Sequence, residues 1–352
     1  MKRYLPLLTV TAAVVITLAV SACGGPATAG GGASPGNQVK VVRYQGSANN
    51  VSLLEVAQDL GYLGDVKLKW VGTTISGPQD IQSVATNQTD IGGAFAGAVG
   101  KLIDAGAAVK GMVNYYGEDA KTFIGLYTLD GSPIHSAKDF IGKKIAVNTL
   151  GAHADAVIHS YLQKNGLTED EINAVQLVVL PPNDTEEAIR RGQVDIGALS
   201  GVLQDHAIAA GGLRSIFSDY DLYGAFAGGQ LVLRNVFAAQ NPDTATTLAT
   251  GVAKAIDWET TTPRDEVIAR FTKIITDRNR GESTANLKFF KSVGVPNSGI
   301  ITAEDFSRWS SWLLDTGITT GTLDPSKYYT NQYNQLVQKA TSSSGATAPS
   351  KG

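Results

Sequence analysis

Apolar and polar positions change period repeatedly along this chain. Val39-Lys40-Val41-Val42-Arg43-Tyr44 reads as a strand. After the polar stretch "QGSANN" from Gln45 to Asn50, Leu53, Leu54, Ala57 and Leu60 recur at helical spacing until Gly61 stops the run. Val66-Lys67-Leu68-Lys69-Trp70-Val71 alternates as a half-exposed strand, Pro78 opens a second predicted helix, and a short strand follows at Asp90-Ile91-Gly92. Strand, helix, strand, helix, strand predicts an α/β unit whose sheet is mostly parallel, covered by helices on both faces and joined by right-handed crossovers.

The series restarts at Lys144. A strand "KIAVN" leads into a helix from Ala152 to Asn165 stopped by Gly166, then a strand from Val175 to Leu180, a helix from Thr185 to Arg191, and a last strand. Thr168 with Glu171, and Asp184 with Glu187, have capping-box spacing. Both series end in nearly the same words, "TNQTDIGGAF" from Thr86 and "RGQVDIGALS" from Arg191, 105 positions apart. So long a period fits two similar halves rather than a solenoid. After Tyr223 comes one more strand, "GGQLVLR", and then helical patterning from Pro242 to Ala340, expected to return onto the first half.

The ends of the chain read differently. Met1-Lys2-Arg3 and the apolar run from Tyr4 to Val20 have the charged start and short greasy core of a secretion signal, marginal for spanning a bilayer. The run ends in Val20-Ser21-Ala22-Cys23-Gly24, which resembles a bacterial lipobox, with Cys23 the lipidated residue. Cys23 is the only cysteine, so no internal disulfide is available, and a diacylated N-terminus would anchor the chain. Residues 1–22 are expected to be the signal peptide, 23–38 a Gly/Ala/Pro/Ser-rich tether, and 341–352 a disordered tail. Removing Lys2 and Arg3 with the signal takes the formal charge from -3 to -5, and nothing in this balance asks for nucleic acid.

Ligands of open parallel sheets bind beyond the carboxyl ends of the strands, where loops run into helix N-termini. That places the expected site on four loops: Gln45, Ser47 and Asn49; Phe95, Ala96 and Gly97; Thr149, Gly151, Ala152 and His153; and Ser200 and Gly201. Tyr116, in the pair Tyr115-Tyr116, would add an aromatic wall, and Asp90 and Asp195 read as structural. His153, Asp155 and His159 fall on different sides of a 3.6-residue helix, which excludes them as one metal set, and no metal or cofactor is expected. The elbow-like "GASPG" at Gly32 follows no strand, and neither a Walker loop nor a dinucleotide fingerprint is present, so the pattern speaks against an enzyme.

The lipobox, the opening "VRYQGSANN", "AQDLGYLGDVKLKWV", the two Asp-Ile-Gly strands and "IGKKIAVNTLGAHADAVIHSYLQKNGLTEDEI" together resemble the nitrate/sulfonate/taurine class of ABC-transporter substrate-binding lipoproteins, from about Val39 to Tyr333. Ala152 and His153 match the family's glycine-serine-x-alanine-histidine loop. Thr149-Leu150 stands where Gly-Ser is usual, and Ser200-Gly201-Val202-Leu203 replaces a Trp-x-Pro-Tyr-like turn. The resemblance implies a two-lobed type II periplasmic-binding-protein fold with a two-strand hinge, lobe 1 being residues 39–127 plus 228–340 and lobe 2 residues 128–227. It implies an exported, lipid-anchored monomer that captures a small anionic solute such as a sulfonate, nitrate or taurine and hands it to a membrane permease, without catalysis. A thiamine pyrimidine precursor or other small heterocycle is the alternative solute, and a sensor subunit the alternative role.

Overall fold

The structure is a computed structural model that describes residues 38–321 and 324–337. The signal sequence, Cys23, the tether through residue 37 and the tail from 341 lie outside the described residues. The chain runs β1 (Val41–Gly46), α1 (Leu53–Asp59), β2 (Lys67–Thr73), α2 (Gly77–Ala85), β3 (Ile91–Phe95), α3 (Ala96–Asp104), β4 (Val109–Glu118), β5 (Ile124–Leu129), β6 (Lys144–Val147), α4 (His153–Lys164), α5 (Glu169–Asn173), β7 (Gln176–Val179), α6 (Pro182–Arg190), β8 (Ile196–Ser200), α7 (Gly201–Ala210), β9 (Leu213–Ser218), α8 (Asp219–Tyr223), β10 (Phe226–Arg234), α9 (Asn235–Gln240), α10 (Pro242–Thr261) and α11 (Arg264–Asp277), before α12 (Glu304–Ser307), α13 (Ser310–Asp315) and α14 (Pro325–Tyr328).

The strands sort into two groups. β1 pairs with β2, and β3, β10 and β4 form a three-stranded sheet; β7, β6, β8, β5 and β9 form a five-stranded sheet. The chain therefore crosses twice, after Glu118 and again before Phe226, and β5 already belongs to the second group.

The α/β class holds, but the expectation of mostly parallel sheets needs correcting. Pairing is parallel within the strand–helix–strand units, at β1–β2 and at β7–β6–β8. The strands beside the crossings run the other way, β10 between β3 and β4, and β5 between β8 and β9. A strand that enters one half from the other has no crossover helix to turn it round, so it joins its neighbours antiparallel.

The duplicated words have a common structural task. Asp90 accepts the Arg43 backbone N–H at 2.8 Å and donates its own to the Arg43 carbonyl at 2.9 Å; Asp195 does the same with Lys144, at 2.8 and 2.9 Å. The isoleucines that follow, Ile91 and Ile196, are fully buried. The glycines lie under the preceding helix: a Cβ on Gly92 would meet Asp80 and Val84 of α2 at 2.9 Å, and one on Gly197 would meet Thr185 and Ile189 of α6 at 2.7 Å. Each Asp-Ile-Gly thus ties its strand to the first strand of its series, β1 or β6, fills the core and admits a closely crossing helix.

Caps follow the sequence in part. Ser52, Thr168 and Ser218 close capping boxes on α1, α5 and α8. Asp184 does not cap, because α6 begins earlier, at Pro182, and places Asp184 inside its first turn. As expected, α10 and α11 return to the first half: Leu248, Val252, Phe271 and Ile275 share one buried cluster with Leu54, Ala57 and Met112. The later segment goes elsewhere, since Trp309 and Trp312 join the cluster of Phe95, Val99, Val157 and Leu162, where elements of both halves meet.

Candidate functional site

A cavity of about 230 Å3 lies between the two groups of strands. The first half supplies Gly77 and Pro78 at the start of α2, Ala94 and Phe95 at the end of β3, and Tyr115 and Tyr116 of β4. The second supplies Ile124, Asn148, Thr149, Ala152, His153 and Ala154 around the start of α4, Pro182 and Thr185 of α6, and Ala198, Leu199, Ser200 and Leu203 at the turn from β8 into α7. The volume is below the roughly 300–1,000 Å3 of pockets for drug-sized ligands, which sets the scale of the solute.

Helix starts converge here. The starts of α2, α4, α6 and α7 border the cavity, and α3 starts directly after Phe95. None of the five has a side chain capping its first N–H groups, as is also true of α9 to α13, whereas α1, α5 and α8 carry capping boxes; what sets the five apart is their convergence. Uncapped N–H donors with the positive end of the helix dipole behind them favour an anion. Among the described residues the lining holds no lysine, arginine, aspartate or glutamate, so any charge preference must come from these backbone groups.

The walls are aromatic. His153 stacks on Phe95 with centroids 5.1 Å apart and planes 5° from parallel, and Trp309 lies edge-on to Phe95 at 4.7 Å. Tyr115 and Tyr116 meet edge to face at 5.0 Å. A Cβ on Gly93 would come within 2.6 Å of the Tyr115 ring, so the second glycine of "IGGAF" is the slot in which that ring sits.

Burial pushes the His153 imidazole down to about 3, so it is neutral in this setting. Behind it stand two acids. Glu118, at the end of β4, is 3.9 Å from His153 Nδ1, and Asp219, at the start of α8, is 3.3 Å from Nε2. Burial also raises both carboxyls, Glu118 well above its ordinary range and Asp219 to about 7, helped at Glu118 by the negative charge of Asp219. Raised carboxyls behind a neutral imidazole reduce the negative charge that an anion in the cavity would meet.

Of the residues expected from sequence, the structure brings Phe95, Tyr116, Thr149, Ala152, His153 and Ser200 to the cavity. The others lie elsewhere. Gln45 belongs to β1, Ser47 bonds the Thr74 carbonyl, and Asn49 is tied to the C-terminal region through Glu282 and Ser283, so the first loop closes on the chain itself. Ala96 is fully buried, Gly97 packs under Phe95 and Trp312, Gly151 donates to Asp155 beside a separate groove with Lys101, and Gly201 starts α7 outside the lining. Glu118 and Asp219 were missed. Glu118 had a signal, since alternation along "NYYGE" puts it on the same strand face as Tyr116; Asp219 meets His153 only through tertiary packing.

A two-lobed arrangement, a chain that crosses twice and a small cavity between the lobes define a type II periplasmic binding-protein fold. Residues 48–266 match the family described as NMT1/THI5 like, and the chain belongs to that family. No curated protein matches the sequence. Among solved structures, the chain is similar to the periplasmic aliphatic sulphonate binding protein SsuA from Escherichia coli, at 18% identity and a TM-score of 0.64, covering 83% of this chain and 92% of that one. It is also similar to the periplasmic nitrate-binding protein NrtA from Synechocystis PCC 6803, at 12% identity and a TM-score of 0.66, covering 88% and 90%. The desulfurization enzyme DSZB shares the fold at 15% identity and a TM-score of 0.57, covering 87% and 100%. At such identities the likeness concerns the fold. Among the described residues no helix is long and apolar enough to cross a membrane.

Proposed function

We propose that this chain is the extracytoplasmic solute-binding component of an ABC importer. In this reading it is exported, held at the outer face of the membrane through a lipid on Cys23, and delivers its solute to a permease. The lobes close on a small solute that presents an anionic group to the helix starts and a compact apolar or planar body to Phe95, Tyr115 and Tyr116. The observation that carries this reading is the convergence of uncapped helix N-termini on an interlobe cavity with no carboxylate in its lining. The names of the sulphonate- and nitrate-binding neighbours support the same solute class. Closure couples capture to a change of shape that a permease can read.

A neutral or weakly basic heterocycle such as a pyrimidine is the second reading, favoured by the lack of lysine and arginine and by the three aromatic walls. Neither reading includes catalysis: among the described residues the lining holds no cysteine, lysine or carboxylate, and the two acids beside His153 stand behind it rather than in the lining. A thermal-shift panel of alkanesulfonates, taurine, nitrate, bicarbonate and aminopyrimidines tests the solute class. Stabilisation by the anions supports the first reading, and stabilisation by pyrimidines alone replaces it with the second.

A further inference from the structure

Three ionisable side chains meet behind the cavity wall, and two of them, His153 and Asp219, keep buried polar atoms without a hydrogen-bond partner, although Asp219 Oδ1 accepts the Ile124 N–H at 3.0 Å. Glu118, His153 and Asp219 are only 3%, 6% and 0% exposed. Their donor atoms all lie within 4.8 Å of one another, and among the described residues no other three His, Cys, Asp or Glu side chains converge so closely. Neither His153 ring nitrogen has a hydrogen-bond partner, and neither does Asp219 Oδ2. Around them stand the rings of Phe95, Tyr116, Phe226 and Trp309, within 5.1 to 5.9 Å of the imidazole. Buried polar atoms without partners are costly, and here they belong to side chains whose donor atoms converge on one point. The nearby guanidinium of Arg308 pairs with Glu304 and lies over the Phe226 ring.

We propose that Glu118, His153 and Asp219 bind a divalent transition-metal ion of the zinc class. One imidazole nitrogen and two carboxylate oxygens are ligands such an ion accepts, at bonds of about 2.0–2.2 Å, leaving a coordination position open. Tetrahedral bonds of that length set donor atoms roughly 3.3 Å apart, so a modest contraction of the cluster completes the site. Binding releases whatever protons the carboxyl groups carry. The ion has an approach as well: Glu118 also lines a second cavity of about 330 Å3 with Asp119 and Glu259, and with Lys121, Arg264 and Lys291. Because Glu118 ends β4 while His153 and Asp219 open α4 and α8 of the other lobe, the ion ties the two lobes together at the first crossing.

The experiment uses the full mature chain, stripped with chelator and dialysed, titrated with zinc chloride by calorimetry and with cobalt(II) followed by its visible absorption. The expected result is one ion per chain, cobalt bands of a low-coordinate site, and at least tenfold weaker binding in Glu118→Gln and in Asp219→Asn. Both amides keep the shape of the side chain, and melting temperatures without metal check that the variants fold. Glu259→Gln, which borders the approach without supplying a ligand, keeps the wild-type stoichiometry. Failure of the wild type to take up one ion overturns the proposal, as does equal binding by wild type and both cluster variants, which assigns the ion to other surface groups.

Discussion

Asp90 binds Arg43 at three points: its carboxylate accepts the Arg43 backbone N–H at 2.8 Å and the guanidinium at 2.7 and 3.0 Å. It also accepts from Arg234 at 3.1 Å, so one buried carboxylate joins β1, β3 and β10. Asp195 repeats the backbone part against Lys144, but it is exposed and no guanidinium joins it. The same word in the two lobes therefore carries unequal energy. Asp90→Ala should cost about 3–5 kcal/mol, because it strands partly buried cations, and Asp195→Ala about 0.5–1.5 kcal/mol. Burial alone would raise the Asp90 carboxyl, but the Arg43 and then the Arg234 bonds hold it below the ordinary range. Its contribution is present at neutral pH and lost as the pH falls below about 4. Urea denaturation of both variants checks the ranking, and equal losses would contradict it.

Asp80 gives the opposite pH dependence. One oxygen accepts the Gly93 N–H at 2.7 Å, the other is buried without a partner, and burial pushes the carboxyl up to about 7. A folded value above the unfolded one means full stability below about pH 4 and a loss as the pH rises towards 7, on the order of 2–4 kcal/mol. Asp80→Asn keeps an acceptor for Gly93 and cannot ionise, so its stability should be flat over that window. Parallel pH profiles for wild type and variant would refute the assignment.

Gly93→Ala should push the Tyr115 ring out of its slot, at a cost of about 1–3 kcal/mol from overpacking. The displaced ring borders the solute cavity, so affinity falls together with stability. Shortening the partner in Gly93→Ala/Tyr115→Leu should recover stability relative to the sum of the single changes, a coupling that a double-mutant cycle measures. Additive losses would show that the glycine is required for another reason.

The fold was legible where pattern is local. Helical spacing in "LLEVAQDL" and the Thr168–Glu171 capping box rest on contacts close in sequence, and the recurrence of Asp-Ile-Gly is visible as a repeated word even though its partners Arg43 and Lys144 lie 47 and 51 positions away. The strand directions at the crossings were not, because β10 and β5 read like any other strand and only the return path decides their sense. At the site, Phe95, Thr149 and Ser200 were legible as strand-end residues before helices, while Asn49 looked equivalent and is instead bound to Ser283, 234 positions away. Ala96 also looked accessible, yet it is fully buried, so enlarging it would test packing rather than binding.

Ser200 offers a cleaner probe, being exposed, at the cavity wall and free of any capping bond to α7. The decisive measurement is calorimetric titration of the solute found in the panel into wild type and Ser200→Trp, with melting temperatures recorded for both. An interlobe site predicts at least tenfold weaker binding by the variant, about 1.4 kcal/mol or more, at an unchanged melting temperature. Equal affinities at unchanged melting temperature would place the solute outside the cleft and contradict the account.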